Sequence, residues 1–165
     1  MSHFIRPLGQ SNAAEAEALR ALNNLHAEET SFLDAANWLA LVEQAFRATS
    51  VAPTAAFLIA LDETADYGSP NFLWFKARYP RFVYVDRIIV SAAHRGRGLA
   101  RALYEDLFAE TAARGHEHVL CEVNRVPPNP VSDAFHAALG FHEVGEARLD
   151  GRDKTVRYLR KNLAA

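Results

Sequence analysis

A chain of 165 residues, half of them apolar, suits one domain around one core. Its formal net charge of −2 leaves no basic footprint for nucleic acid or an anionic membrane surface, and the longest apolar run, Ala55 to Leu61, is far too short to span a bilayer. A lone cysteine, Cys121, excludes an intramolecular disulfide framework and suits a reducing compartment; with no basic-then-apolar leader visible, a cytoplasmic location is expected.

His3 to Leu8 reads as a short first strand. Asn12 to Glu29 reads as a helix burying Ala14, Ala18, Leu22 and Leu25, and Asp34 to Arg47 as a second helix, capped by Asp34, with Trp38, Leu41, Val42, Ala45 and Phe46 as its apolar stripe. Ala55 to Leu61 is expected to be a strand buried on both faces. Asp62 to Pro80 reads as a long connection whose five aromatic residues argue against disorder. Arg81 to Val90 is the clearest strand, with Phe82, Tyr84, Asp86, Ile88 and Val90 on one face by the two-residue period. A helix from about Arg97 to Arg114 stops at Gly115, and His118 to Asn124 forms the next strand. After Pro127 to Pro130 comes a short helix through Phe135 and Ala138, ended by Gly140. Phe141 to Ala147 and Lys154 to Leu159 form a terminal hairpin around Asp150-Gly151. His116 and His118 flank Glu117 as a polar strand entry, so no metal site is expected. This order of elements describes an α/β single domain with a mixed sheet.

The most informative stretch is Arg95-Gly96-Arg97-Gly98-Leu99-Ala100, between an apolar strand and a helix start. Glycines there allow a tight turn and close backbone approach, the helix's first N–H groups point outward, and two arginines add forked donors. That is the chemistry of a phosphate site. The long nucleotide loop is excluded because it needs a lysine and a hydroxyl. The dinucleotide pattern is excluded because Arg101 stands where a third glycine is required.

The spacing Arg95-x-x-Gly98-x-Ala100 resembles the coenzyme A pyrophosphate loop of the GNAT superfamily of N-acetyltransferases. Three blocks in order carry the resemblance: Tyr84 to Val90 leading into the loop, Leu120 to Asn124, and Asn129-x-x-Ser132-x-x-Phe135-His136-x-x-Leu139-Gly140-Phe141, similar to the family's N-x-x-A-x-x-[LF]-Y-x-x-L-G-F. The resemblance implies a GNAT-like fold, a central mixed, mostly antiparallel sheet with helices on both faces. It implies acetyl-CoA as cosubstrate. Backbone groups of Ile88, Ile89 and Val90 would pair with the pantetheine arm, and the N–H groups of Arg95, Gly96, Arg97, Gly98, Leu99 and Ala100 would hold the pyrophosphate. Asn124, Asn129, Ser132 and Phe135 would close around the rest. A homodimer is also plausible for such a family.

Acetyl transfer to an amine requires removal of a proton from the amine, stabilisation of an oxyanion and a fate for the departing thiolate. Asp86, among apolar strand neighbours, is the first candidate base; its other reading is a buried ion pair with Arg87 or Arg157. Glu122 on the next strand is the second. His136 stands where the family pattern has tyrosine, and either protonates the thiolate, contacts the coenzyme, or caps its helix. Cys121 reads as a small core filler. For the acceptor, a small amine or an amino terminus, the expected contacts are Asn24 and Glu28 late in the first helix and Tyr67 and Trp74 in the long connection, an acidic and aromatic lining suited to a cation. The alternatives are a longer acyl-CoA donor and a non-catalytic coenzyme-A-binding sensor.

Overall fold

The computed structural model describes residues 3–51, 54–151 and 153–163. Seven strands form one sheet: β1 Ile5–Pro7, β2 Arg47–Val51, β3 Ala56–Asp62, β4 Val83–Val90, β5 His118–Val126, β6 His142–Leu149 and β7 Lys154–Asn162. Their order across the sheet is β1-β2-β3-β4-β5-β7-β6. Only the β4–β5 pair is parallel among these neighbours. Five α-helices accompany it: α1 Ala13–Leu25, α2 Ala35–Gln44, α3 Pro70–Lys76, α4 Leu99–Ala113 and α5 Pro130–Ala138.

The sheet separates two cores. Ala56 to Leu61 of β3 are all 0% exposed, as the unbroken apolar run requires of a strand covered on both faces. On one face, Leu58, Val85 and Cys121 pack against Leu103, Tyr104 and Leu107 of α4. On the other, Phe57, Ile59 and Tyr84 pack with Leu19 of α1, Trp38 and Leu41 of α2, and Phe72 and Phe75 of α3. Each fully buried aromatic or branched side chain contributes about 1.5–3 kcal/mol.

Several expected boundaries move. The first helix stops at Leu25 rather than Glu29, and residues 26–30 form a turn with Glu29 and Thr30 N–H groups bonded to the His26 carbonyl. The second helix ends at Gln44, and Arg47, expected as its last residue, instead opens strand β2, which lies between β1 and β3. Thr49 and Ser50, to which the sequence reading gives no element, are fully buried there. The long connection holds α3, whose Ser69-Pro70 start places proline in the first turn, where its missing N–H costs nothing. The terminal hairpin forms, but β7 inserts between β5 and β6 because it carries the buried Val156, Tyr158 and Leu159.

The face pattern of β4 is also corrected. Opposite β3 the register steps from Ile59↔Arg87 to Ala60↔Val85, leaving Asp86 as an extra residue in a β-bulge. A bulge moves every following side chain to the other face. Phe82 and Tyr84 therefore share a core with Ile89, while Ile88 and Val90 pack with Val83 and Val85.

Beyond Val83↔Val119 and Tyr84↔Leu120, β4 and β5 make no further ladder pairs. The sheet opens there into a slot that both cores reach.

Candidate active site

A cleft of about 750 Å³ occupies this slot. Every residue expected at the coenzyme lines it except Arg97. Arg97 is exposed in the loop and is not part of the cleft lining.

The loop is built for an anion. Gly96 and Gly98 hold φ of 77° and 74°, and open space surrounds the position a Cβ would take at Gly96. Glycine is therefore needed for the left-handed backbone rather than for room. Gly98 caps α4 without a side chain, so the first N–H groups of this 15-residue helix are left for a ligand. Arg95 and Arg101, beside this turn in the chain, also line the cleft.

Glu122 on β5 lines the cleft as well. Tyr84 Oη donates to its Oε2 at 2.8 Å, and Asn71 Nδ2 to its Oε1 at 3.1 Å. Asn71 is itself oriented by Tyr158, whose hydroxyl donates to its Oδ1 at 3.0 Å. Burial pushes the Glu122 carboxyl up to about 7, the nearby Asp86 charge adds to the rise, and the Tyr84 and Asn71 hydrogen bonds oppose it. A carboxyl that exchanges its proton near neutrality, at the wall of a cleft, is a suitable general base.

Asp86 lines the same cleft, but its carboxylate is held in an ion pair. Arg87 Nε donates to its Oδ2 at 2.7 Å, and the two side chains are only 2% and 5% exposed. Arg87 also donates to Asn23 Oδ1 at 2.8 Å, Ser31 Oγ at 3.1 Å and Tyr67 Oη at 3.4 Å. Asn24 continues the network by bonding the Leu33 carbonyl and N–H at 3.0 and 2.9 Å. Asp86, Asn24 and Tyr67 thus belong to one buried strut that ties β4 to the α1–α2 connection. Asn24 and Tyr67 do not line the cleft.

His136 is 6% exposed, and both ring nitrogens are engaged. Nδ1 lies 2.8 Å from the Ser132 carbonyl, which can only accept, so Nδ1 carries the proton. Nε2 then accepts the Tyr104 hydroxyl at 2.8 Å. Burial lowers the pKa of this imidazole, which keeps it neutral. Beside it, burial raises the Cys121 thiol well above its usual range, consistent with an unreactive filler.

The sequence matches the acetyltransferase (GNAT) family over residues 19–141. The chain belongs to that family. A search of curated proteins by sequence gives no match. Among solved structures, a NatC complex bound to Gag peptide and CoA superposes with a TM-score of 0.76 at 13% identity, covering 99% of this chain and 100% of that one. A ribosomal-protein-alanine N-acetyltransferase from Brucella melitensis gives 0.72 at 20% identity, covering 97% and 99%. A putative acetyltransferase from Salmonella typhimurium with acetyl-CoA gives 0.72 at 19% identity, covering 100% and 96%. These likenesses show the fold. As a GNAT acetyltransferase, the chain takes acetyl-CoA as cosubstrate and an amine as acceptor.

Two other residues expected at the acceptor also lie outside this acetyltransferase's cleft. Glu28 is exposed, and His26, Glu29 and Thr30 line the rim instead. The helix's early end rotates Glu28 out. Trp74 stacks on Tyr158 at 4.1 Å, and the Arg78 guanidinium covers it at 3.8 Å, so it anchors α3 to β7. The residues sequence reading missed, Tyr84 and Tyr104, look like core aromatics; nothing in their spacing shows where their hydroxyls go.

Among the described residues, Asp62, Glu63 and His116 come within 4.8 Å of one another. Glu63 is already engaged there by the Phe82 N–H at 3.3 Å and by Arg81 at 3.8 Å. No helix among the described residues is long and apolar enough to cross a membrane.

Proposed function

We propose that this acetyltransferase acetylates the α-amino group of a peptide or a similarly weakly basic amine, with Glu122 as the general base. The observation that carries the reading is the Glu122 carboxyl, pushed up to about 7 and held at the cleft wall by Tyr84 and Asn71. An α-ammonium has a pKa of about 8, a lysine ammonium about 10.4. A base near 7 takes a proton from the α-ammonium at little cost and from the lysine ammonium at a cost a few hundredfold greater, roughly the 2.4 units between them.

The amine nitrogen attacks the thioester carbon and its proton passes to a Glu122 oxygen, directly or through one water. The new C–N bond forms, the C–S bond breaks, and the electron pair leaves on sulfur. With donor and acceptor in one slot, proximity supplies much of the acceleration and no covalent enzyme intermediate is needed. The coenzyme's pyrophosphate fits the glycine turn and the uncapped start of α4. At the acceptor rim, Glu29 supplies a carboxylate for a cation. The neighbours from Brucella melitensis and the NatC complex, which by name act on or bind polypeptides, support the same acceptor class.

Thiol release from acetyl-CoA, measured with a panel of free-amino-terminus peptides, amino-blocked lysine peptides, polyamines and aminoglycosides, tests this. The expected result is turnover with the first group and at least tenfold less with the others. Preference for lysine side chains or aminoglycosides overturns the acceptor assignment. Coenzyme binding without thiol release from any amine favours the sensor reading.

A further inference from the structure

The slot passes through the sheet, and its two faces carry different chemistry. Glu122 bonds Tyr84 and Asn71, groups of the core shared with α1, α2 and α3. Its neighbour Cys121 points into the opposite core, with Tyr104 of α4. Glu122 and Cys121 thus turn to opposite faces of the sheet at the slot. On that second face a hydrogen-bonded chain runs from the core to the cleft wall. Tyr104 Oη donates to His136 Nε2 at 2.8 Å, and the protonated His136 Nδ1 faces both the Ser132 carbonyl at 2.8 Å and Ser132 Oγ at 3.2 Å.

This direction of donation decides what the chain can do. The Ser132 oxygen receives a proton donor from behind, so its own hydroxyl hydrogen is free to point away from His136. Ser132 is half-buried and lines the cleft. Side chains on a helix cover the turn before their own Cα, so positions 132 and 136 of α5 serve one patch of cleft wall. They are also the two positions where this chain's Asn129-to-Phe141 block differs from the family pattern in its lettered residues, and here they bond each other.

We propose that the Ser132 hydroxyl donates a hydrogen bond to the coenzyme sulfur as the thioester C–S bond breaks, with His136 and Tyr104 as positioning residues that polarise it. This rests on the acetyl-transfer reading above. The hydroxyl proton stays on Ser132. Passing it to sulfur would draw the Tyr104 proton onto His136 and leave a buried phenolate, and burial holds that phenol well above its usual pKa of 10. The electron pair leaves on sulfur as a thiolate, stabilised by the hydroxyl, which takes its proton from water on release. Donation along an aligned chain strengthens each bond in it.

The test pairs kinetics with a titration that needs no acceptor. Ser132→Ala is expected to lower kcat about tenfold, the size of one hydrogen bond to a developing charge, with KM for acetyl-CoA within about twofold. Ser132→Thr, which keeps a hydroxyl, is expected to recover most of the loss. In the binary complex with CoA carrying a 13C-labelled methylene beside sulfur, the thiol pKa is expected to be about one unit higher in Ser132→Ala than in wild type. Equal thiol pKa values in the two proteins overturn the proposal. So does a raised KM with unchanged kcat, which marks a coenzyme contact without a role in bond breaking. Wild-type protein that binds CoA and shifts its thiol, yet transfers no acetyl group, overturns the functional reading while leaving the sulfur contact standing.

Discussion

Tyr84 and Glu122 stand on adjacent parallel strands, and the Tyr84 hydroxyl donates to Glu122 Oε2 at 2.8 Å just past the last pair that holds β4 to β5. The bond is made where the sheet opens, so it ties the candidate base to the strand that would carry the coenzyme. It also lowers a carboxyl pKa that burial raises.

The pH profile follows with its sign. Glu122 accepts a proton only when ionised, so kcat/KM is expected to rise with pH, reach half its plateau near pH 7, and level off above. Glu122→Gln is expected to lower kcat by about a hundredfold or more and to flatten that limb. Folding raises this pKa from its usual 4.5, so the contribution to stability is full at low pH and lost as pH rises through 7. The variant's stability relative to wild type should therefore grow between pH 5 and 8 in urea titrations.

Tyr84→Phe removes one hydrogen bond to the charged form of Glu122. Its kinetic limb is expected to move to higher pH by about one unit, with the plateau largely preserved. An unmoved limb would separate Glu122 from the observed titration.

Asp86→Asn discriminates between base and strut. Its carboxylate is paired with Arg87 at 2.7 Å, both nearly inaccessible. Removing one partner strands a buried guanidinium, and a loss of about 3–5 kcal/mol in unfolding free energy is expected. The Glu122 kinetic limb is expected to persist but to move to lower pH, because the Asp86 charge that adds to the rise of that carboxyl is gone. A folded, fully stable variant with no activity would instead return the base role to Asp86.

Gly98→Asp places a carboxylate and a Cβ at a φ of 74°, in the path of the coenzyme's phosphates. Thermal stabilisation by CoA, which reports binding by linkage, is expected to vanish while the fold persists. Retained stabilisation would remove the loop from the binding site.

Gly145→Ala tests the anchor of α3. A Cβ there would lie 2.5 Å from the Trp74 ring, which is clamped between Tyr158 and Arg78. Overpacking is expected to cost about 1–3 kcal/mol, read by denaturant unfolding.

The amino-acid order by itself determined the doubly buried strand at Ala56 to Leu61, the glycine turn into α4, the Asp34 cap, whose carboxylate accepts the Asn37 N–H at 2.8 Å, and the family. Each of these is local: an apolar run, a required positive φ, a capping oxygen three residues from its donor. Tertiary structure alone decided that Asp86 bulges, because a register step depends on the facing strand and not on the bulged residue. It decided that Tyr67 and Asn24 serve a strut while Asn71 serves the cleft, and that the Tyr84 and Tyr104 hydroxyls meet Glu122 and His136. Those partners lie 20 or more residues apart in several cases, 38 between Tyr84 and Glu122. Periodicity reports which face a side chain takes, while a hydrogen bond also requires the distance and direction that only packed neighbours set.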